Sequence, residues 1–242
     1  MKNILKHTPY FLSLLLCVAL LCSPLIAAET SCIPNDDRVV YLTFDDGPTP
    51  KITEEILDVL KAKKVNATFF IVGKEIKGRE AILKRIYEEG HGIGLHTYSH
   101  NFKVIYKNPE SFIMEMDKTE STINDVLGTQ LTIHPIRFPG GSAGRLNKTF
   151  YNKLCQKGYL IFDWNVDLQD GIKGNLSPEA FVNNSRKCMD QSTRRIILAH
   201  CNSNNKNTCL ALSSIIDYYT KEGYTFKAID NQTVPYFFKY KK

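Results

Sequence analysis

The stretch RVVYLTFDDGPTPKITEEILDVLKAKKVNATFFIV, residues 38–72, decides the fold. It opens with an apolar run, 38–44, rich in β-branched and aromatic residues, and then breaks into turn chemistry at DDGPTP. TEEILDVLKAKK (53–64) follows, with Ile56, Leu57 and Leu60 recurring at helical spacing. VNATFFIVG (65–73) is a second apolar run. Strand, helix, strand in this order implies two parallel strands, because a parallel pair needs a long crossover and a helix supplies it.

The unit repeats along the chain. EAILKRIYEEG (80–90) reads as a helix closing on a glycine, and HGIGLH (91–96) as a short strand. The longest helix covers 109–127, with Phe112, Met116, Thr119, Ile123 and Val126 on one face. Strand LTIHPIRF (131–138), helix 146–157, strand YLIFDWNV (159–166) and helix 178–190 come next. Strand RRIILAH (194–200), helix 209–222 and strand TFKAID (225–230) complete the series. About seven parallel strands alternating with helices define an α/β chain, and runs such as TFFIV fit strands covered on both faces. A closed or nearly closed barrel suits the count. An open doubly wound sheet is the alternative, but no GxGxxG follows any strand.

Residues 1–28 stand apart. Lys2 and Lys6 precede the uncharged run FLSLLLCVALLCSPLIAA, which reads as a secretory signal peptide cut after Ala28, or as an uncleaved anchor over residues 9–28. A linker (29–37), one domain (38–235) and a basic tail (236–242) make up the rest, and the protein is expected to be exported and monomeric. Net charge is +6, or +4 without the two leading lysines. The basic residues form no stripe, so nucleic acid is not an expected partner, whereas a polyanionic wall is compatible. Past residue 28 the cysteines are Cys32, Cys155, Cys188, Cys201 and Cys209. An odd count leaves at least one unpaired. Cys201 with Cys209, and Cys155 with Cys188, are the candidate pairs.

The chemistry concentrates at strand C-terminal ends, where α/β folds keep their sites. HTYSH sets His96 and His100 four apart, a spacing that on a helical turn aims both imidazoles one way. With a distant carboxylate they would form a His₂Asp set with open positions, a common catalytic metal pattern, although such a pair also arises by chance. Asp45 and Asp46 repel each other when buried, unless a cation is near. One would then bind the ion while its neighbour accepts a proton; an ordinary solvated turn is the competing reading. In RFPGG (137–141), Arg137 can pair with one of the two aspartates, and Gly140 leaves its N–H free for a ligand oxygen. DWNVDLQD (163–170) carries three acids and the one tryptophan, Trp164. His200 follows an apolar run and reads as a general acid or a core-edge histidine. His91 and His134 read as structural.

The ordered set TFDDG (43–47), HTYSH (96–100), RFPGG (137–141), VDLQD (166–170) and LAH (198–200) resembles the polysaccharide deacetylases of the NodB-homology group, carbohydrate esterase family four, over residues 38–230. That resemblance implies a distorted (β/α) barrel. It also implies a divalent ion, zinc first and cobalt, nickel or manganese as alternatives, and removal of acetyl groups from peptidoglycan or chitin-like glycans. By the same resemblance Asp45 is the general base, and Asp46, His96 and His100 bind the ion. Arg137 tunes the base, Asp170 holds the acid His200, and Leu198 floors the pocket for the acetyl methyl. Two departures concern substrate placement: Gly140 and Gly171 stand where many members have aromatics, so Trp164, Tyr98 or Phe102 would have to supply a sugar-stacking surface. Cys201 stands where an acid is common. A chitin-oligosaccharide deacetylase, a non-catalytic glycan-binding module and an amidase cutting another C–N bond are the rivals.

Overall fold

The structure, a computed structural model, describes residues 38–172 and 176–240. The proposed signal or anchor, the linker and Cys32 lie outside the described residues. Strand β1 (Val39–Asp45) is buried at all seven positions, as a strand covered on both faces must be. Helix α1 (Ile52–Lys63) follows, turning Ile52, Ile56, Leu57 and Leu60 to the core and ending at a left-handed Lys64. Each such aliphatic side chain, fully buried, contributes about 1.5–3 kcal/mol. Next come β2 (Thr68–Ile71), a 3₁₀ turn over Gly73–Ile76, α2 (Glu80–Glu88), β3 (Gly92–Leu95) and the short α3 (Phe102–Ile105).

The long helix α4 (Pro109–Leu127) starts where Asn108 accepts from the Ser111 N–H with Pro109 behind it, and stops at the left-handed Gly128. The remaining elements are β4 (Pro135–Ile136), α5 (Lys148–Gln156), β5 (Leu160–Ile161), β6 (Val166–Asp167), α6 (Pro178–Ser185), β7 (Arg195–His200), α7 (Lys206–Lys221) and β8 (Thr225–Phe226). Among the described residues no helix is long and apolar enough to cross a membrane.

Seven strands pair in parallel in the order β5-β4-β3-β2-β1-β7-β6, with β8 also joined to β1. The chain's own connectivity shows that this sheet curls. Ile161 on one edge and Val166 on the other are five residues apart, and five residues reach at most about 18 Å. Seven flat strands would set those edges about 29 Å apart. The sheet is therefore curled into a distorted, open barrel. Segment 159–166, expected as one strand, breaks to make this crossing: the Asp163 N–H donates to the Tyr236 carbonyl and the Asn165 N–H to that of Ile196. Segment 131–138 also shortens, because Leu131 spends its N–H on the Asn124 side chain and Pro135 has none to give. Tyr236 bridges to Phe162, so the residues assigned to a basic tail begin inside the fold.

Strand alternation divides the core in two. Val40, Leu42 and Phe44 join the large layer under the helices, whereas Val39 and Tyr41 join a small inner cluster with Phe70, Phe162, Ile196 and Ile229. By the same period of two, Thr43 and Asp45 on β1 and Leu198 and His200 on β7 continue that inner face. They stand side by side, with Thr43 paired to Leu198 and Asp45 to His200. The interior thus turns from apolar to polar toward the strand ends.

Candidate active site

Asp45 is 3% exposed and ends β1. Asp46, the next residue, adopts φ 76°, a left-handed conformation that Asp tolerates better than most side chains. The reversal separates two neighbouring carboxylates. The strand end is fixed by Cys201, whose N–H and thiol both donate to the Asp45 carbonyl, at 2.9 and 3.2 Å. A side chain at Gly47 would strike that sulfur, since a Cβ there would lie 2.6 Å from it.

His96 and His100 do not sit on a helical turn. They flank a bend in which Thr97 and His100 have positive φ, and their rings still come within 5.1 Å. Glu115 on α4 holds the bend by accepting from the Tyr98 and Ser99 N–H groups, at 3.0 and 2.6 Å. The His96 Nδ1 lies 2.9 Å from the Arg137 carbonyl, an oxygen that can only accept, so Nδ1 carries the proton and Nε2 presents a lone pair. From His96 Nε2 to Asp46 Oδ1 is 3.7 Å, and from His100 Nε2 to the same oxygen 3.4 Å. Three donors about 2.0–2.2 Å from a tetrahedral ion would be about 3.3 Å apart, so the set Asp46, His96 and His100 fits a divalent ion. Burial pushes the His96 imidazolium down against the fields of Asp45 and Asp46, which favours the neutral ligand form. Burial raises Asp46, but His96, His200, His100 and the Asn202 amide together bring it below the usual carboxylate range.

Arg137 is fully buried, its guanidinium 4.1 Å above the Phe70 ring. It donates to Asp45 Oδ1 (2.9 Å), Thr43 Oγ1 (2.6 Å), the Phe162 carbonyl (2.8 Å) and the Asp163 carbonyl (3.1 Å). A buried ion pair is tolerated when its remaining protons are satisfied in this way. Opposite, His200 Nδ1 lies 2.7 Å from Asp170 Oδ1, while Asp170 Oδ2 accepts from the His200 N–H and the Thr208 hydroxyl. Burial alone would lower His200, but the bond to Asp170 and the charges of Asp170, Asp45 and Asp46 raise it to about 9. Gly171 gives the ring its room, since a Cβ there would lie 2.4 Å from His200 Cε1.

One cleft of about 340 Å³ collects Asp45, Asp46, His96, His100 and His200, with Gly140, Leu198 and Trp164 on its walls. Arg137 and Asp170 touch Asp45 and His200 from behind. All ten expected residues therefore converge. Phe102 also lines the cleft, edge-on to His100. Glu115, Thr43, Asn202 and Thr208 were not singled out from sequence; only the polar run NSNN after LAH hinted at Asn202. Neither candidate disulfide forms: Cys155, Cys188, Cys201 and Cys209 are free thiols. Cys201 is turned to Asp45, and Cys209 to the Ile52 carbonyl at 3.7 Å. His91 and His134 are outside the cleft, the first accepting from the Ala67 N–H and the second 3.1 Å from Glu120.

Comparison with known proteins gives relatives in both sequence and fold. Residues 33–161 match the family described as Polysaccharide deacetylase. A peptidoglycan-N-acetylglucosamine deacetylase of Bacillus cereus is 32% identical over 202 residues, 82% of this chain and 72% of the relative. A carbohydrate esterase family four esterase of Streptococcus mutans superposes with a TM-score of 0.76 at 30% identity, over 81% of this chain and 87% of that one. The catalytic domain of a peptidoglycan N-acetylglucosamine deacetylase from Eubacterium rectale gives 0.75 at 28% identity, over 85% and 94%. The chain belongs to the polysaccharide deacetylase family, the NodB-homology group of carbohydrate esterase family four.

Proposed function

We propose that this protein hydrolyses the acetamide of N-acetylated sugars in cell-wall peptidoglycan, outside the cell that makes it, with a divalent ion, zinc first, held by Asp46, His96 and His100. One observation carries the reading: a three-donor set shares a cleft with an arginine-paired carboxylate and an aspartate-paired histidine. A bound divalent ion supplies Lewis-acid polarisation of the acetyl carbonyl and acidification of water. Asp45, fixed by Arg137 with its second oxygen toward His96, accepts the proton of the attacking water. The Gly140 N–H donates to the oxygen that becomes an oxyanion, a type of contact worth about 2.7–4 kcal/mol. His200, protonated at neutral pH because its pKa is near 9, gives its proton to the departing amine as the C–N bond breaks. Acetate and a free amino sugar result. Leu198 floors the methyl pocket, and Trp164 and Phe102 are the aromatic walls available to a sugar face.

Peptidoglycan is chosen over chitin because the relatives from Bacillus cereus and Eubacterium rectale bear that substrate in their names. The signal or anchor expected in residues 1–28 agrees with work at the wall. Incubation with purified peptidoglycan and with chitin oligomers, following acetate, tests the reading. Release from peptidoglycan that stops with chelator and returns with zinc is expected. Chelator-insensitive release, or binding without acetate, would replace it with a different hydrolase or a binding module.

A further inference from the structure

The four-residue crossing between β5 and β6 holds an acid that does not line the cleft. Asp163 is fully buried, and every polar group it has is engaged. Its N–H donates to the Tyr236 carbonyl at 2.6 Å, and its carbonyl accepts from Arg137. Its carboxylate faces the other way. Oδ1 accepts from the Ser142 N–H at 3.0 Å, and Oδ2 accepts from the Phe238 N–H at 2.8 Å and from the Ser142 hydroxyl. One side chain thereby joins two segments distant in sequence.

The first segment is the turn that carries Gly140. Gly140 and Gly141 have φ of 71° and 82°, and the Gly141 N–H closes the turn on the Phe138 carbonyl at 2.7 Å. Successive glycines in the left-handed region give a turn little stiffness of its own. Its geometry is set by what grips it. Arg145 holds the Gly140 and Gly141 carbonyls, at 2.9 and 2.8 Å, from the solvent side. Asp163 holds the far end from the buried side, where charge-assisted hydrogen bonds are stronger. The second segment is Tyr236–Phe238. Its Phe238 ring stands edge-on to Trp164 at 5.3 Å, and a Cβ at Gly141 would lie 3.2 Å from that ring.

We propose that Asp163 is a positioning residue: its carboxylate sets the Gly140–Ser142 turn, and with it the N–H that meets the acyl oxygen, and couples that turn to the C-terminal segment Tyr236–Phe238. The catalytic half of this proposal rests on the deacetylase reading; the coupling of the two segments does not. Asp163→Asn keeps the size but puts an amide nitrogen against one of the N–H donors, and Ser142→Ala removes only the hydroxyl contact. In the full chain with zinc, Asp163→Asn should lower kcat by roughly 10²-fold, the scale of a 1 Å misplacement, with KM and bound zinc little changed. Ser142→Ala should give a smaller loss, and the double variant should lose less than the product of the two. Amide hydrogen exchange should quicken together over residues 139–145 and 236–239 in Asp163→Asn, and stay as it was over 96–100.

A folded Asp163→Asn protein with wild-type kcat overturns the positioning role. Exchange that quickens in one segment alone overturns the coupling. Should wild type release no acetate, the deacetylase reading fails, and the exchange comparison still decides the coupling. Should Asp163→Asn not fold, Ser142→Ala decides: lowered kcat at unchanged melting temperature and zinc content supports the proposal, and unchanged kcat overturns it.

Discussion

His96 and His200 line the same cleft, the first buried and the second half-buried, and loss of water drives both toward the neutral form. Yet they end on opposite sides of their ordinary value. His96 Nδ1 meets a backbone carbonyl, which fixes the tautomer without adding charge, and the imidazole stays neutral. His200 Nδ1 meets the Asp170 carboxylate, and the imidazole is held protonated up to about pH 9. In the proposed mechanism the partner behind each ring, not its burial, separates the ligand from the acid. The aspartates divide in the same way: Asp45 is tied to Arg137, whereas Asp46 turns out to the histidines through a left-handed backbone step.

The largest effects break that comparison at its two ends. His96→Ala should abolish both turnover and zinc binding, measured as acetate release and metal content of the purified protein. His200→Ala should keep the ion and lower turnover by roughly 10²–10⁴-fold, the usual weight of a general acid. Equal zinc content in these two proteins would mean that the rings do not differ in function.

A smaller effect sharpens the comparison. In wild type, His200 can donate below about pH 9, so turnover should fall as pH rises through that value. Asp170→Asn removes the charge that raises it, and the alkaline limb of the kcat profile should move to lower pH by about 1–3. A limb left in place would detach that limb from the His200–Asp170 pair. The smallest effect lies on the wall: Trp164→Ala should raise KM by roughly 2- to 10-fold with kcat nearly unchanged, the value of one aromatic contact.

What could be read from sequence followed physical locality. Helix α4 is written in its own residues, an Asn–Pro start, a three-four repeat and a glycine stop, and 109–127 was legible as it stands. The strand-end motifs were legible because each is short and sits where a parallel strand must end. The break in 159–166 was not, because it comes from a sheet curled enough for a four-residue crossing to join its two edges, and no local pattern encodes that. Glu115 was hidden for a similar reason: on a helix it reads as a solvated acid, and only packing brings it under the His96–His100 bend. The form of the bend is not legible either, since an i, i+4 spacing suits a helical turn and does not reveal the positive φ of Thr97 and His100. The cysteines misled because a buried free thiol and a half-cystine look alike in sequence. Gly140 and Gly171, odd as places for missing aromatics, are explained by a left-handed turn and by the His200 ring.

The most direct test sets Asp45→Asn beside Asp46→Asn, measuring zinc affinity by calorimetry and acetate release on the same preparations. The division of labour predicts that Asp45→Asn binds zinc nearly as wild type yet releases almost no acetate, while Asp46→Asn loses zinc and activity together. Loss of zinc by Asp45→Asn, or near-normal acetate release from it, would contradict the account.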